Sequence, residues 1–426
     1  MTNSETKNFS QNVSSSYHLG GKSSNECKKD SLNIPKLRFK GYNEEWKHYR
    51  LKDIVQIYDG THQTPNYIDD GIKFVSVENI NNLDKTNKYI SREDYEKDFK
   101  IKPEINDILM TRIGDIGTPA IINTNERYAY YVSLALLKSN YAILSPKFLI
   151  QRISSEQFQH ELWKRTLHVA FPKKINKNEI GECNVFIPSL PEQEKIASFL
   201  TLIDKKIEKQ KELVELLKKY KRGLLSQIFS QKLRFKDENG NNYPDWEEKR
   251  LGDICTTFSG GTPSITHQEY YNGDIPFIKS GEIHSDKTEM FITDIGLKNS
   301  SAKLVKKGDL LFALYGATSG EVDISKINGA INQAILCVKS DTLNLNYLKE
   351  LLSYNKNQIL CKYLQGGQGN LSADIFKALK FKFPIKKEQD KISDFLINYD
   401  KITHIEEHLL NLYINYKQGL LQQLFI

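Results

Sequence analysis

The chain has 426 residues, of which 39% are hydrophobic and 27% charged, and its formal net charge is +7. This length exceeds one ordinary core and predicts at least two globular domains. No stretch approaches the ~20 apolar residues of a membrane span, and the five cysteines form no CxxC pair, which argues against a zinc ribbon or a disulfide framework. We expect a cytoplasmic protein without membrane contact, whose mild basic excess is compatible with a polyanionic partner.

Along the chain, globular segments alternate with long helices. Residues 1–30 are rich in Ser, Asn and Lys and show no hydrophobic period, so we predict a disordered tail there. The later boundaries are predicted as a first mixed α/β domain over 31–185, a central spacer helix over 186–230, a second mixed α/β domain over 231–383 and a C-terminal spacer helix over 384–426.

The second half of the chain repeats the first at an offset of 196 residues. "EQEKIASFL" from Glu192 returns as "EQDKISDFL" from Glu388, and "YKRGLLSQIF" from Tyr220 returns as "YKQGLLQQLF" from Tyr416. The segment "KLRFK" at 36–40, which we call the lead-in segment of the first domain, recurs at 232–236 as that of the second. The interiors of the two domains differ much more in sequence. The repeat predicts one duplicated scaffold that carries two different globular heads.

The spacer helices carry an apolar seam. From Ile196 onwards, apolar residues recur in alternating steps of three and four as far as Ile228, which is typical of a helix that packs against another helix. We expect the two copies to pair antiparallel, each spanning ~58 Å at ~1.5 Å per residue. A pair of this length would hold two heads roughly one to one and a half DNA turns apart.

The ends of both helices are apolar on more than one face. A glycine inside a helix costs ~1 kcal/mol relative to alanine, so the glycines there suggest close packing against a partner. We predict a docking surface for a protein partner, present twice, formed by Tyr220, Gly223, Leu224, Leu225, Phe229, Tyr416, Gly419, Leu420, Leu421 and Phe425.

Each head also contains a cluster of residues suited to DNA. Arg, Lys, Asn and Gln can recognise base edges, while Ser and Thr position phosphates. The predicted contacts in the first head are Thr61, His62, Gln63, Thr64, Ser76, Asn79 and Arg112. Those in the second head are Thr262, Ser264, Lys279, Ser280, Tyr315, Thr318, Ser319, Asn332 and Gln333.

Signatures of catalysis are missing from the sequence. There is no G-x-G-x-x-G after a strand, no phosphate-binding G-x-x-x-x-G-K-[ST] and no Asn-Pro-Pro-aromatic tetrapeptide. "HIEEH" at 404–408 has the acid misplaced for a zinc site, and its histidines align with Glu208 and Glu212 in the repeat, as on a solvated helix face. We expect no catalytic residue, metal or cofactor in this chain.

Taken in order, these motifs resemble the specificity subunit of a type I restriction-modification enzyme. The carriers are the two "EQ(E/D)KI" helices, the "GLL" helix ends, and "PFIKSGEI" with "KKGDLLFALYGATSG" and "INQAI" in the second head. The resemblance implies two target-recognition domains that bind the halves of a bipartite, asymmetric double-stranded DNA site. It also implies two modification subunits and two restriction subunits as partners, with S-adenosylmethionine, ATP and Mg²⁺ bound on those partners only.

The first head departs from the family pattern, because Val132-Ser133 stands where the second head has Asn332-Gln333. Two other hypotheses stay open at this point. One is a stand-alone nuclease or methyltransferase, and the other is a coiled-coil DNA-binding or scaffold protein outside restriction-modification.

Overall fold

A computed structural model describes residues 33–363 and 370–426, so the predicted tail over 1–30 lies outside the described residues. The chain divides into two compact units. The first contains the chain up to Lys211 together with His408–Ile426, and the second contains Glu212–Glu407. Each unit therefore combines one head with the beginning of one long helix and the end of the other.

The first head consists of two sheets and a two-stranded ribbon. Its strands are β1 (Lys47–Arg50), β2 (Val55–Asp59), β3 (Ile72–Val75), β4 (Tyr89–Ile90), β5 (Ile108–Thr111), β6 (Pro119–Ile121), β7 (Tyr128–Tyr130), β8 (Leu134–Ser139) and β9 (Asn184–Ile187). Its helices are α1 (Leu51–Ile54), α2 (Arg92–Asp98), α3 (Pro146–Ile153), α4 (Glu156–Arg165) and α5 (Lys177–Gly181), followed by the long α6 (Leu190–Phe229). One sheet has the antiparallel order β2-β8-β5-β6 and the other the order β4-β3-β7, while β1 pairs with β9.

The second head has the same topology. Its strands are β10 (Glu247–Arg250), β11 (Thr256–Ser259), β12 (Tyr271–Ile278), β13 (Phe291–Ile292), β14 (Lys303–Val305), β15 (Leu310–Ala313), β16 (Val322–Ile324), β17 (Gly329–Ile331), β18 (Ile335–Lys339) and β19 (Lys380–Phe383). Its helices are α7 (Leu251–Ile254), α8 (Asp294–Lys298), α9 (Leu345–Tyr363), α10 (Ala373–Ala378) and the long α11 (Lys386–Leu424). The sheets are ordered β11-β18-β15-β16 and β13-β12-β17-β14, with β10 paired to β19. The two heads thus share one strand order although their interior sequences differ, and the second head has β14 as an additional strand.

The strand β5 and its counterpart β15 are buried on both faces, so they appear in the sequence as unbroken apolar runs. Successive side chains of a strand point to opposite faces. Accordingly, Ile108 and Met110 belong to one core of the first unit while Leu109 belongs to the other. This division places a core on each side of the central sheet.

A buried ion pair fixes the start of each long helix to its lead-in segment. Arg38 donates from Nε and Nη2 to the two carboxylate oxygens of Glu192, at 2.7 and 2.8 Å. In the second unit, Arg234 donates in the same way to Glu388, at 2.8 and 3.0 Å. Both carboxylates are buried, and a bidentate pair holds the guanidinium and carboxylate in one relative orientation.

The next residue of each helix ties the helix to its head. Gln193 donates from Nε2 to the carbonyl of Pro188, and its Oε1 accepts from the backbone N–H of Ser145, both at 2.9 Å. Gln389 makes the equivalent bonds in the second unit, with the Pro384 carbonyl and the Asn344 N–H. We call each Arg-Glu-Gln set a helix-start anchor; it explains why "KLRFK" and "EQ" are duplicated together.

The long helices pack antiparallel within each unit. In the first unit, Asp204 near the start of α6 pairs with Lys417 near the end of α11, at 2.5 Å. The copies of these residues pair in the second unit, where Asp400 lies 2.7 Å from Lys221. Burial has the largest effect on the pKa of Lys221 and lowers it, but the charges of Glu350 and Asp400 leave that pKa raised.

These features confirm the predicted fold class of mixed α/β heads with long antiparallel helices. The apolar seam is also found, since Ile196, Leu200, Val214 and Ile228 are buried. Among the described helices, none combines the length and apolar character needed to cross a membrane.

We predict that Glu192→Ala destabilises the first unit by ~3 kcal/mol, because it leaves the Arg38 guanidinium without its buried partner. Glu194→Ala is the matched control, since Glu194 is an exposed carboxylate on the same helical turn. The measurement is the thermal unfolding of both variants. Equal midpoints for Glu192→Ala and the control would show that the anchor does not stabilise the head.

Candidate nucleic-acid interface

Several predicted contacts of the second head lie at the carboxyl ends of two neighbouring parallel strands. β12 and β17 pair in parallel, with Ile278 opposite Ile331. Lys279-Ser280 follows the first strand and Asn332-Gln333 follows the second. Parallel strands end at the same sheet edge, so their polar residues are brought together although more than fifty positions separate them in the sequence.

Gln333 is the centre of this edge. Thr262, in the loop after β11, donates its hydroxyl to Gln333 Oε1 at 2.6 Å. Tyr315 lies in the loop after β15; burial raises the pKa of Tyr315, and the Gln333 amide opposes the rise. The Thr262 hydroxyl therefore orients an exposed amide, the group that can pair with adenine through two hydrogen bonds.

Lys279 adds a positive charge to the same edge. Its side chain is exposed, and it forms no ion pair with any residue in the described part of the chain. Its backbone N–H donates to Glu282 at 3.0 Å, which holds the turn after β12. The ammonium group is thus available for a phosphate.

The remaining predicted contacts of the second head make local bonds. Asn332 Oδ1 accepts from the Ala334 N–H at 3.1 Å, and Ser319 donates to the Leu314 carbonyl at 3.1 Å. Ser264 shares a 2.7 Å hydrogen bond with Thr266, and the Thr318 carbonyl accepts from the Glu321 N–H. These residues shape the loops that surround Gln333, and Ser280 begins a short 3₁₀ turn.

In the first head, the corresponding edge carries Thr61, Ser76 and the turn after β7. Thr61 N–H donates to the Tyr130 carbonyl at 3.1 Å, and Val132 N–H donates to the Thr61 carbonyl at 2.9 Å. Ser76 follows β3, the parallel neighbour of β7. His62, Gln63 and Thr64 continue from Thr61 and are exposed. The side-chain oxygen of Asn79 is already hydrogen-bonded, because Oδ1 accepts from the Ser76 N–H.

The glycines before these loops are required by close backbone approach. A Cβ on Gly60 would lie 2.3 Å from the Tyr130 carbonyl oxygen, and one on Gly260 would lie 1.8 Å from that of Ile331. Only glycine fits there, because it has no Cβ. The repeated glycine therefore brings the β2 and β11 loops against the strand ends.

Arg112, which the sequence predicts as a DNA contact, is not exposed on this surface. The side chain is only 7% exposed. It forms an ion pair with Asp59 and donates from Nε to the Ile175 carbonyl at 3.1 Å. Its role is to hold the end of β5 to neighbouring segments. A sequence pattern alone cannot distinguish such a buried arginine from an exposed one.

The structure also corrects the alignment of the two heads by one residue. Leu134 N–H donates to the Tyr131 carbonyl, as Ile335 N–H does to the Asn332 carbonyl. Tyr131 and Val132 are therefore the counterparts of Asn332 and Gln333, in place of Val132-Ser133. Tyr131 is half-buried at the edge and is a further candidate contact.

Five of the ten predicted docking residues are buried inside the chain. Trp46 contacts Phe425 in a core that includes Leu420 and Leu421. In the second unit, Leu224 and Leu225 are buried, and Phe229 packs against Tyr347. Leu225 and Phe229 belong to the core of the second head, as Leu420, Leu421 and Phe425 belong to that of the first, so these side chains join the heads to the helix ends. Those left accessible are Tyr220, Gly223, Tyr416 and Gly419.

Comparison with known proteins identifies the repeated halves. A family model described as the type I restriction modification DNA specificity domain matches residues 43–218 and 243–412. The putative type I restriction enzyme MjaX specificity subunit of Methanocaldococcus jannaschii is 24% identical over 396 residues, covering 88% of this chain and 91% of the relative.

Two solved structures share the fold. The S subunit of a type I restriction-modification system from M. genitalium has a TM-score of 0.58 at 16% identity, covering 92% of this chain and 99% of that chain. A chain from a structure on complex assembly and conformational transition of the type I R-M system has a TM-score of 0.56 at 14% identity, covering 90% and 98%.

We predict that Gln333→Ala weakens DNA binding by ~1–3 kcal/mol at one base pair and relaxes the preference there. Lys279→Ala should instead weaken binding on all sequences and reduce the salt slope by about 1. Binding isotherms at several salt concentrations on cognate and substituted duplexes separate these effects. Unchanged affinity in both variants would exclude this edge as the interface.

Proposed function

This chain belongs to the type I restriction modification DNA specificity family, and from that premise we propose that each head recognises one half of a bipartite, asymmetric DNA site. The chain is a DNA sequence-specificity subunit. One observation carries the proposal: the same sheet edge presents different side chains in the two heads. Gln333 and Lys279 in the second head correspond to Val132 and Ser76 in the first. Different chemistry on one frame suits two different half-sites.

We further propose that the chain directs chemistry carried out by partner subunits. Modification subunits would hold S-adenosylmethionine, and restriction subunits would hold ATP and Mg²⁺. The support is the lack of a nucleotide-binding or methyl-donor motif in the sequence. The chain would then contribute sequence selection alone.

A duplicated helix face is the proposed docking site for two modification subunits. Leu216 and Tyr220 are 62% and 60% exposed in the second unit, and their copies Leu412 and Tyr416 are 49% and 57% exposed in the first. Gly223 and Gly419 continue the same face three residues later, and no described atom lies within 4 Å of a Cβ built on either. An apolar strip ending in glycine allows a partner helix to approach closely, and two copies of it support two equivalent partners.

For Tyr220→Asp we predict loss of one modification subunit, because the carboxylate would place an unpaired charge in an apolar contact. Tyr416→Asp should remove the other subunit, and the double variant should bind none. Native mass spectrometry of the assembled complex measures the stoichiometry.

Leu202→Asp is the matched control. Leu202 is 61% exposed on α6, but its copy is Asn398, so it lies outside the duplicated face. Two bound modification subunits in all the tyrosine variants would contradict this docking face.

The proposed recognition is tested by mapping methylated bases in cells that carry this chain with its modification subunits. A single motif with two defined halves separated by an unspecified gap is expected. A contiguous motif, or methylation by the isolated chain, would contradict the proposal.

A further inference from the structure

The segment between α4 and α5 in the first head forms a short hairpin, residues 167–174. Leu167 pairs with Lys174 in an antiparallel bridge, and Leu167 N–H donates to the Lys174 carbonyl at 2.8 Å. At the turn, Ala170 N–H donates to the Leu167 carbonyl at 3.3 Å. The hairpin is therefore a hydrogen-bonded structure with a defined tip.

That tip displays two apolar side chains to solvent. Val169 is 99% exposed and Phe171 104%, the highest values for any large apolar side chain in the described parts of the chain. Single exposed apolar residues are common on protein surfaces, but two fully exposed ones on a tip suit a contact with another molecule. Because both side chains are exposed, neither stabilises the fold by burying apolar surface.

The base of the hairpin is attached to the carboxyl end of β5. Gly114 N–H donates to the Lys173 carbonyl at 2.8 Å, and Ile175 N–H donates to the Arg112 carbonyl at 3.0 Å. The same strand end reaches the candidate DNA edge, because Arg112 N–H donates at 2.9 Å to the carbonyl of Ser133, the residue after Val132. The hairpin therefore projects from the strand end that carries the candidate DNA edge.

The charges beside the tip are positive. Lys173 and Lys174 are exposed, and within the described residues neither side chain takes part in an ion pair. Glu161, the acid of the preceding helix nearest in sequence, is already paired with Lys164 and Arg165. A cleft of about 750 Å³ behind the hairpin is lined by His160, Trp163, His168 and Lys173, with Glu156 as its carboxylate.

We infer that hairpin 167–174 is a DNA-binding wedge of the first head. Val169 and Phe171 insert into the groove against the base steps, while Lys173 and Lys174 contact the flanking phosphates. Architectural DNA-binding proteins insert apolar side chains in this way and partly unstack the bases. The uncompensated lysines favour DNA over an apolar protein pocket, because a polyanion balances their charge. The inference rests on the proposed recognition of a half-site by this head.

The test uses the full chain assembled with its modification subunits and a duplex that contains the mapped motif. Val169→Ser with Phe171→Ser should weaken binding about 10- to 100-fold, the range measured for loss of a base-stacking side chain, without changing the salt slope. Lys173→Ala with Lys174→Ala should reduce the salt slope by about 1.8, since each phosphate contact contributes ~0.9.

Ile101→Ser with Ile105→Ser is the matched control. Both isoleucines are exposed in the same head, but they precede β5 at its amino end. The control should bind DNA as the unsubstituted complex does.

If the hairpin variants bind DNA as the unsubstituted complex does, the wedge assignment is wrong, while the proposed half-site recognition is unaffected. Loop variants that retain DNA affinity but lose modification subunits would also overturn it, and would assign the tip to a protein contact. Failure of the unsubstituted complex to prefer its motif would instead refute the proposed function.

Discussion

The bidentate pair between the lead-in arginine and the first glutamate of the long helix is the contact on which each unit depends. Arg38 and Glu192 lie 154 positions apart, as do Arg234 and Glu388, so each pair closes a loop that contains a whole head. In the first unit the same lead-in also reaches the other long helix, because Leu37 N–H donates to the Gln423 carbonyl at 2.9 Å. One short segment thereby joins a head, the start of one helix and the end of the other. Breaking the pair would leave a buried charge at that junction.

The second part of the anchor explains how one frame tolerates two unlike heads. Gln193 and Gln389 bond to the head through backbone groups, the N–H of Ser145 and that of Asn344. Every residue except proline has a backbone N–H, so head sequences can diverge without loss of the anchor. The ribbons β1-β9 and β10-β19 close the heads in the same antiparallel manner. Sequence differences between the heads can therefore occur at the sheet edge, where Gln333 and Val132 occupy equivalent positions.

The duplicated scaffold was predictable from the sequence because its contacts join repeated residues to repeated residues. Asp204 with Lys417 and Asp400 with Lys221 follow from one offset. Exposure was not predictable: Arg112 and Leu224 have residue types that suit an interface, yet the fold buries both. The counterpart of Gln333 was missed because a single added residue shifts the register, which only the hydrogen bonds of the turn reveal. The hairpin at 167–174 gave no sequence signal, since Val169 and Phe171 resemble ordinary core residues until their exposure is known.

The central claim is that the anchors support either head equally well. It is tested most directly by exchanging residues 47–187 with 247–383 within one chain, which leaves the lead-in segments and both long helices in place, and then mapping the methylated bases. The account predicts an assembled complex that methylates the original motif, because the long helices are antiparallel copies and exchanging the heads on them gives the same duplex site read from the opposite strand. An aggregated chain would contradict the account, as would an assembled complex that methylates a different motif.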